Sequence, residues 1–222
     1  MLEQGSRLVD FLSMDSETDS LELASKALCA TARLCHERGW VPATSGNFSV
    51  REGGRVLVTA SGLDKGALTA DGLLEVDLEG RGAAGAAKPS AEVGLHLAIY
   101  RKRPEARAIL HVHSVWSTLI SGRFAATGYV TLEGYEIEKA LSGVTTHKHE
   151  ERVQILPNSQ DYGVLAGQMT ELLVRSPRLH AVLLSRHGVY TWGSSVAEAQ
   201  RHLEALEFLF EVEWRRLTGG QP

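Results

Sequence analysis

The stretch AILHVHSVW, residues 108–116, decides how this chain is read. It is an apolar, strand-length run that carries two imidazoles, His111 and His113, one residue apart. Side chains of a strand alternate between its faces, so residues i and i+2 share one. His111 and His113 therefore stand side by side. Burying a polar group without a partner costs on the order of 1–3 kcal/mol, so something must satisfy both rings. Two answers are open: a hydrogen-bonded pair in the core, or a bidentate clamp on a borderline-soft cation such as Zn²⁺, which neutral imidazole binds well.

A third candidate ligand is His187 in LLSRHGVY, where the apolar run AVLL ends at Gly188 and sets the ring at the lip of a sheet. Gly188 permits a close backbone turn there. His36, His96, His180 and His202 fall on expected helices or a turn, which suits surface or cap roles. A second H-x-H, His147 and His149 in TTHKHEE, has charged flanks and reads as solvated.

Working outward, residues 1–20 read as a loosely specified arm or short helix. SLELASKALCATARLCHERGW then places Leu21, Ala24, Leu28 and Cys35 on one helical stripe, with Gly39 as its stop. GNFSVREGGRVLVTASG predicts a hairpin around Gly53-Gly54, and LEVDLEGRGAAGAAKPS a strand followed by a Gly/Ala-rich loop. Ser90 is the expected N-cap of a helix over AEVGLHLAIYRKR. A helix follows from Trp116, YVTLEGYEIEKAL runs from strand into helix, RVQILPN is a strand and SQDYGVLAGQMTELLVRS a helix. AVLLSRHGVYTWG predicts a hairpin around His187-Gly188. The final helix opens on a capping-box pattern, Ser195 and Glu198, and carries Leu203, Leu206 and Phe210 on one stripe. Strands joined by hairpins and interleaved with helices predict one α/β domain over 1–222, a mixed sheet flanked by helices.

The net charge of −4 supplies no basic field for nucleic acid or an anionic membrane surface. There is no basic start followed by an apolar run, and no apolar stretch long enough to span a bilayer. Cys29 and Cys35, six apart on a helix, point about 120° away from a shared face. Neither a disulfide nor a shared metal follows, and a reducing, cytoplasmic home is expected.

Three short segments share a chemistry suited to an anion: TSGN (44–47), TASG (59–62) and KPSAE (88–92). Glycine lets backbone N–H groups approach, hydroxyls add donors, and a helix start adds partial positive charge. Any one of them alone is ordinary turn composition.

ATSGNFSVR, TASG, KPSAE…H…IY, HVHS and RHGVYTWG occur in the order found in the class II aldolase/adducin family, which the chain resembles over roughly residues 20–215. GYEIEKAL, TTH and LPNSQD make the middle of the chain most similar to the dehydratase branch, which removes water from a methylthio ketopentose phosphate in methionine salvage. The resemblance implies a three-layer α/β/α fold with a mixed, largely antiparallel central sheet, and a homotetramer. It implies one Zn²⁺ per subunit on His111, His113 and His187, and a substrate phosphate held by Asn47, Gly62 and Ser90 with Gly46 and Ser61 beside them. It assigns Glu136 as the acid/base and places Glu92 at the substrate, where the sugar-phosphate aldolases of the family have their catalytic acid. Glu136 stands among Glu133 and Glu138, a pattern that solvated surface acids also give. The family also implies the rivals: an aldolase or ribulose-phosphate 4-epimerase on the same scaffold, or a non-catalytic adducin-like module. Imidazole ligands accept iron, cobalt, nickel or manganese as well. Trp116, Tyr135 and Tyr162 are candidates for the methylthio end.

Overall fold

The computed structural model describes residues 3–82 and 88–219, residues 3–18 by backbone alone. Ala108–Val112 forms strand β4, buried along its whole length. A strand buried on both faces belongs in the middle of a sheet. β4 pairs antiparallel with β1 (Asn47–Glu52) on one side and β8 (Gly188–Gly193) on the other. Outside β1 lie β2 (Arg55–Thr59) and β3 (Leu73–Asp77); outside β8 lie β7 (Ala181–Leu184), β6 (Glu150–Leu156) and β5 (Tyr129–Glu133). The order is β3-β2-β1-β4-β8-β7-β6-β5, and β6 with β7 is the parallel pair. That pair is joined through α4 (Tyr162–Arg175), because parallel neighbours need a crossover. The expected mixed, largely antiparallel sheet is borne out.

Alternation along the strands builds two cores. Ala108, Leu110 and Val112 of β4 pack with Leu28 and Cys35 of α1 (Glu3–Glu37) and with Leu203, Leu206 and Phe210 of α5 (Val196–Thr218). Ile109, on the opposite face, joins Leu97 and Tyr100 of α2 (Val93–Lys102) and Met169 of α4. Helices on both faces of one sheet make three layers, as the family resemblance implied. Each large apolar side chain so buried contributes about 1.5–3 kcal/mol. His111 follows the alternation and falls on the α2/α4 side.

Four local readings are corrected. Residues 3–20, expected as an arm or short helix, continue α1 as helix. Ser90 is not the N-cap of α2, which is Glu92: Pro89 bridges Ala60, Ser61 N–H donates to the Lys88 carbonyl at 3.0 Å, and Ser90 Oγ accepts from Glu92 N at 3.3 Å in a turn that precedes the helix, which begins at Val93. The helix after β5 is one 3-10 stretch, Glu136–Ala140. His96 and His202 are buried, at 0% and 3% exposure, rather than at the surface. Other expectations hold. The hairpin at Gly53-Gly54 joins β1 and β2, Cys29 and Cys35 are free and buried, and Ser195 Oγ accepts from Glu198 N at 3.1 Å to cap α5. Glu198 reaches the Ser194 N–H rather than that of Ser195. The Gly/Ala-rich loop lies partly, at 83–87, outside the described residues.

Candidate metal centre and its cleft

His111 Nδ1 donates to the Val189 carbonyl at 3.0 Å, which turns its Nε2 toward the other two rings. The ring is pinned further by Tyr190, stacked on it at 3.8 Å and 10°. His113, one residue beyond β4, brings its Nε2 to 2.9 Å from that of His111, and His187 Nε2 stands 3.0 Å from His113 Nε2. Glu92 closes the group: Oε2 lies 3.3 Å from His111 Nε2 and Oε1 3.3 Å from His187 Nε2. One ligand atom from each of the four lies within 4.8 Å of the others.

This arrangement fits a divalent cation. Three imidazole nitrogens aimed at one point satisfy one another only by sharing protons, whereas one cation satisfies all three lone pairs and the carboxylate at once. Burial holds the His113 ring down to about pKa 3 and the His187 ring to about 4, with the neighbouring His111 adding to both. Both therefore stay in the neutral, ligating form. Burial alone would raise the Glu92 carboxyl, but His111, His187 and the Asn47 amide hold it well below the usual carboxylate range.

Backbone geometry sets the spacing. A Cβ on Gly188 would lie 2.0 Å from the Val112 carbonyl oxygen, so only glycine lets the His187 hairpin close against β4. Gly46 (φ +71°) lets the 44–46 loop lie on the His111 carbonyl, which a Cβ would meet at 2.6 Å. Helix α3 (Val115–Arg123) holds the same hairpin: Thr118 Oγ1 donates to the His187 carbonyl at 3.1 Å, and Ser121 Oγ accepts from Arg186 N at 2.9 Å. Thr44 and Arg186 both carry positive φ, 63° and 55°, at the cleft rim. Such strain costs roughly 1–2 kcal/mol per non-glycine residue and concentrates where backbone is held for a purpose.

Three of the four groups, Glu92, His113 and His187, line an open cleft of about 560 Å³, with the buried His111 ring directly behind them. Asn47, Gly46, Ser61, Gly62 and Ser90, drawn from all three hydroxyl- and glycine-bearing segments, line it together with His113, His187 and Glu92. Glu136 is not among them. It is exposed in the Glu136–Ala140 turn, paired with Lys139 and 3.7 Å from His147, while His149 pairs with Glu151 at 2.9 Å. Of the aromatic candidates Tyr162 lines the cleft; Trp116 and Tyr135 do not. Sequence reasoning missed Lys65, buried at the cleft with its ammonium donating to the Thr44 and Leu63 carbonyls at 2.7 and 2.9 Å. Its position one turn after TASG was the available signal. Arg186 was missed as well.

A three-layer sheet with this imidazole cluster at one end defines a class, and the family model for the class II aldolase and adducin N-terminal domain matches residues 26–214. The chain belongs to that family. A protein of Methylococcus capsulatus named methylthioribulose-1-phosphate dehydratase is 50% identical over 195 residues, 87% of this chain and 94% of that one. A protein of the same name from Stenotrophomonas maltophilia is 42% identical over 214 residues, covering 95% and 100% of the two chains. Among solved structures, an L-fuculose-1-phosphate aldolase from Thermus thermophilus superposes with a TM-score of 0.71 at 28% identity, over 89% of this chain and 97% of that one.

Proposed function

We propose that this protein is a hydro-lyase that removes water from 5-methylthioribulose 1-phosphate, giving 2,3-diketo-5-methylthiopentyl 1-phosphate in methionine salvage. The observation that carries the reading is the convergence of His111, His113 and His187 with Glu92 in a cleft walled by anion-suited loops. The relatives named above narrow the substrate.

His111, His113 and His187 would hold one divalent ion, Zn²⁺ in this proposal, and the ion would supply positive charge where the ketose oxygen becomes negative. The hydroxyls and backbone of Gly46, Asn47, Ser61, Gly62 and Ser90, with the Lys65 ammonium beside them, would bind the phosphate. Anchoring that far end fixes the reacting carbons and converts binding into orientation. The proton leaves the carbon next to the carbonyl, and hydroxide departs from the carbon beyond and needs a proton. A positioned carboxyl group contributes typically about 10²–10⁴-fold to such transfers. Glu136 is the proposed carrier and Glu92 lines the substrate. Glu136 stands outside the cleft of its own chain, so it serves only if a second copy brings it in; a homotetramer with sites at subunit boundaries is part of the proposal. A cytoplasmic location accompanies it, consistent with the two free thiols.

One observation favours a second reading, retro-aldol cleavage: among the described residues of a single chain, the carboxylate lining the cleft is that of Glu92. Incubation with 5-methylthioribulose 1-phosphate separates them. Diketone absorbance without aldehyde is the expected result, and release of a two- or three-carbon aldehyde means aldolase. A Glu136→Gln protein that binds metal and dehydrates at the wild-type rate removes Glu136 from the mechanism.

A further inference from the structure

Behind the cleft, five polar side chains form one line. Asn47 Nδ2 donates to Glu92 Oε2 at 2.7 Å, and Asn47 Oδ1 faces His96 Nε2 at 2.6 Å. His96 Nδ1 faces Ser49 Oγ at 2.7 Å, and Ser49 Oγ faces the Tyr100 hydroxyl at 2.8 Å. Asn47, Ser49, His96 and Tyr100 are each 3% exposed or less. Two periodicities assemble them: Asn47 and Ser49 are two apart on β1, while His96 and Tyr100 are four apart on α2.

The direction of every hydrogen follows from satisfaction. An ionised carboxylate only accepts, so the Asn47 amide nitrogen must face Glu92 and its oxygen must face His96. An oxygen at 2.6 Å from His96 Nε2 requires a hydrogen on that nitrogen. Among the described residues the His96 ring bonds only Asn47 and Ser49, and burial keeps it from holding a second proton, so Nδ1 is bare and accepts from Ser49. The Tyr100 hydroxyl then donates to Ser49. All four hydrogens point toward Glu92.

We infer that His96 is a positioning residue for Glu92, acting through Asn47: its Nε2–H locks the Asn47 amide in the one orientation that donates to the carboxylate. Asn47 is the residue paired directly with His111 across β1 and β4, so the amide is registered to the metal centre by strand pairing. Glu92 lies just before α2, and the Asn47 amide, with the Tyr190 hydroxyl beside it, fixes the carboxylate toward His111 and His187. The inference rests on the proposed reading that the three histidines hold a divalent cation, with the Glu92 carboxylate set beside it.

The test is Co²⁺ titration of the metal-stripped full-length protein, followed by the Co²⁺ d–d absorption against a competing chelator. His96→Leu and His96→Gln are each made in wild-type and Glu92→Gln backgrounds. Removing a partner that orients a metal site weakens affinity by about 10–100-fold. His96→Leu is therefore expected to weaken Co²⁺ binding about 10-fold in the wild-type background and less than about 2-fold beside Glu92→Gln. His96→Gln, which keeps an N–H toward Asn47, stays within about 3-fold of wild type. In turnover of the ketose phosphate, His96→Leu lowers kcat more than it raises KM, because Ser61, Gly62 and Ser90 of the phosphate site are untouched. Equal losses in both backgrounds, or a His96→Gln protein as weak as His96→Leu, would mean a merely structural network and overturn the inference. Should His96→Leu fail to fold, S49A/H96L/Y100F replaces the three members of the line behind Asn47 by apolar groups and is read the same way. A wild-type protein that takes up no Co²⁺ overturns the metal reading itself, whereas normal uptake with a background-independent loss overturns only the role of His96.

Discussion

Gly188→Ala is the sharpest perturbation the structure offers. The added Cβ would lie 2.0 Å from the Val112 carbonyl oxygen, 3.0 Å from its carbon and 3.2 Å from His111 Cε1. A carbon and a carbonyl oxygen approach no closer than about 3.3 Å without strain, so β8 must move away from β4 by roughly 1.3 Å. The obstacle is backbone in the middle of a sheet, held by the pairing of Val112 with Val189, so neither side yields cheaply. Overpacking of this kind costs about 1–3 kcal/mol, and the upper end applies. For a chain of this size each kcal/mol moves Tm by about 2–4 °C, so a fall of about 6–12 °C is expected. The displacement also falls between His187 on one strand end and His111 and His113 on the other. It exceeds the roughly 0.2 Å that ligand distances tolerate, so Zn²⁺ affinity is expected to drop at least about 10-fold. Scanning calorimetry and chelator competition measure the two effects. Gly167→Ala is the control: Gly167 lies in α4 and, beyond its own helix backbone, no atom of the described residues comes within 4 Å of the added Cβ, so the substitution should stabilise by about 0.5–1 kcal/mol. A Gly188→Ala protein melting within about 2 °C of wild type, with unchanged Zn²⁺ affinity, would refute the claim that this glycine sets the ligand spacing.

Further outcomes can be checked independently. Stripping metal with a chelator should lower Tm, and Zn²⁺ at 100 times Kd should restore about 2.7 kcal/mol, read as a shift of about 5–11 °C; identical melting curves would contradict the cation reading. Lys65→Met removes a buried ammonium at the cleft and should raise KM for the ketose phosphate about 10-fold with kcat nearly unchanged, since it takes away binding common to ground and transition states; an unchanged KM would show that the ammonium does not meet the phosphate. Glu207, fully buried on α5, has its carboxyl pushed by burial from 4.5 up to about 8. The native state then keeps a proton the unfolded chain has shed, so this contribution is complete below pH 4.5 and is lost as pH rises toward 8, at about 1.4 kcal/mol per pH unit. The Tm of Glu207→Gln minus that of wild type should therefore grow from acid to alkaline pH, and parallel Tm-pH curves would refute it.

The centre was legible where a short-range rule held. The i, i+2 rule placed His111 and His113 on one face, and the apolar run ending at Gly188 placed His187 at a strand end. The reading of His96 and His202 as helix-surface or cap residues failed because helical periodicity says which residues share a stripe and not what covers it. α2 lays its stripe on β1, so His96 meets Asn47 and Ser49 instead of water. Ser90 looked like a cap because serine before an apolar run usually is one; tethering of residues 88–89 to the 60–61 loop overrode that preference and carried Ser90 to the cleft. The resemblance put Glu136 ahead of Glu92 as the acid/base, and the fold is what distinguishes an exposed carboxylate beside Lys139 from one set between two imidazoles.

By itself the sequence determined the element order, the alternation that buries β4, the presence of an H-x-H pair and the glycines that permit close approach. These depend on neighbours within a few residues, where backbone stereochemistry is decisive. Tertiary structure alone decided that β1, β4 and the hairpin before β8 meet at one end of the sheet, so that segments more than 70 residues apart present four ligand atoms within 4.8 Å of one another. That convergence is set by which strands pair and which helices cover them, and no local pattern encodes a distance across a sheet.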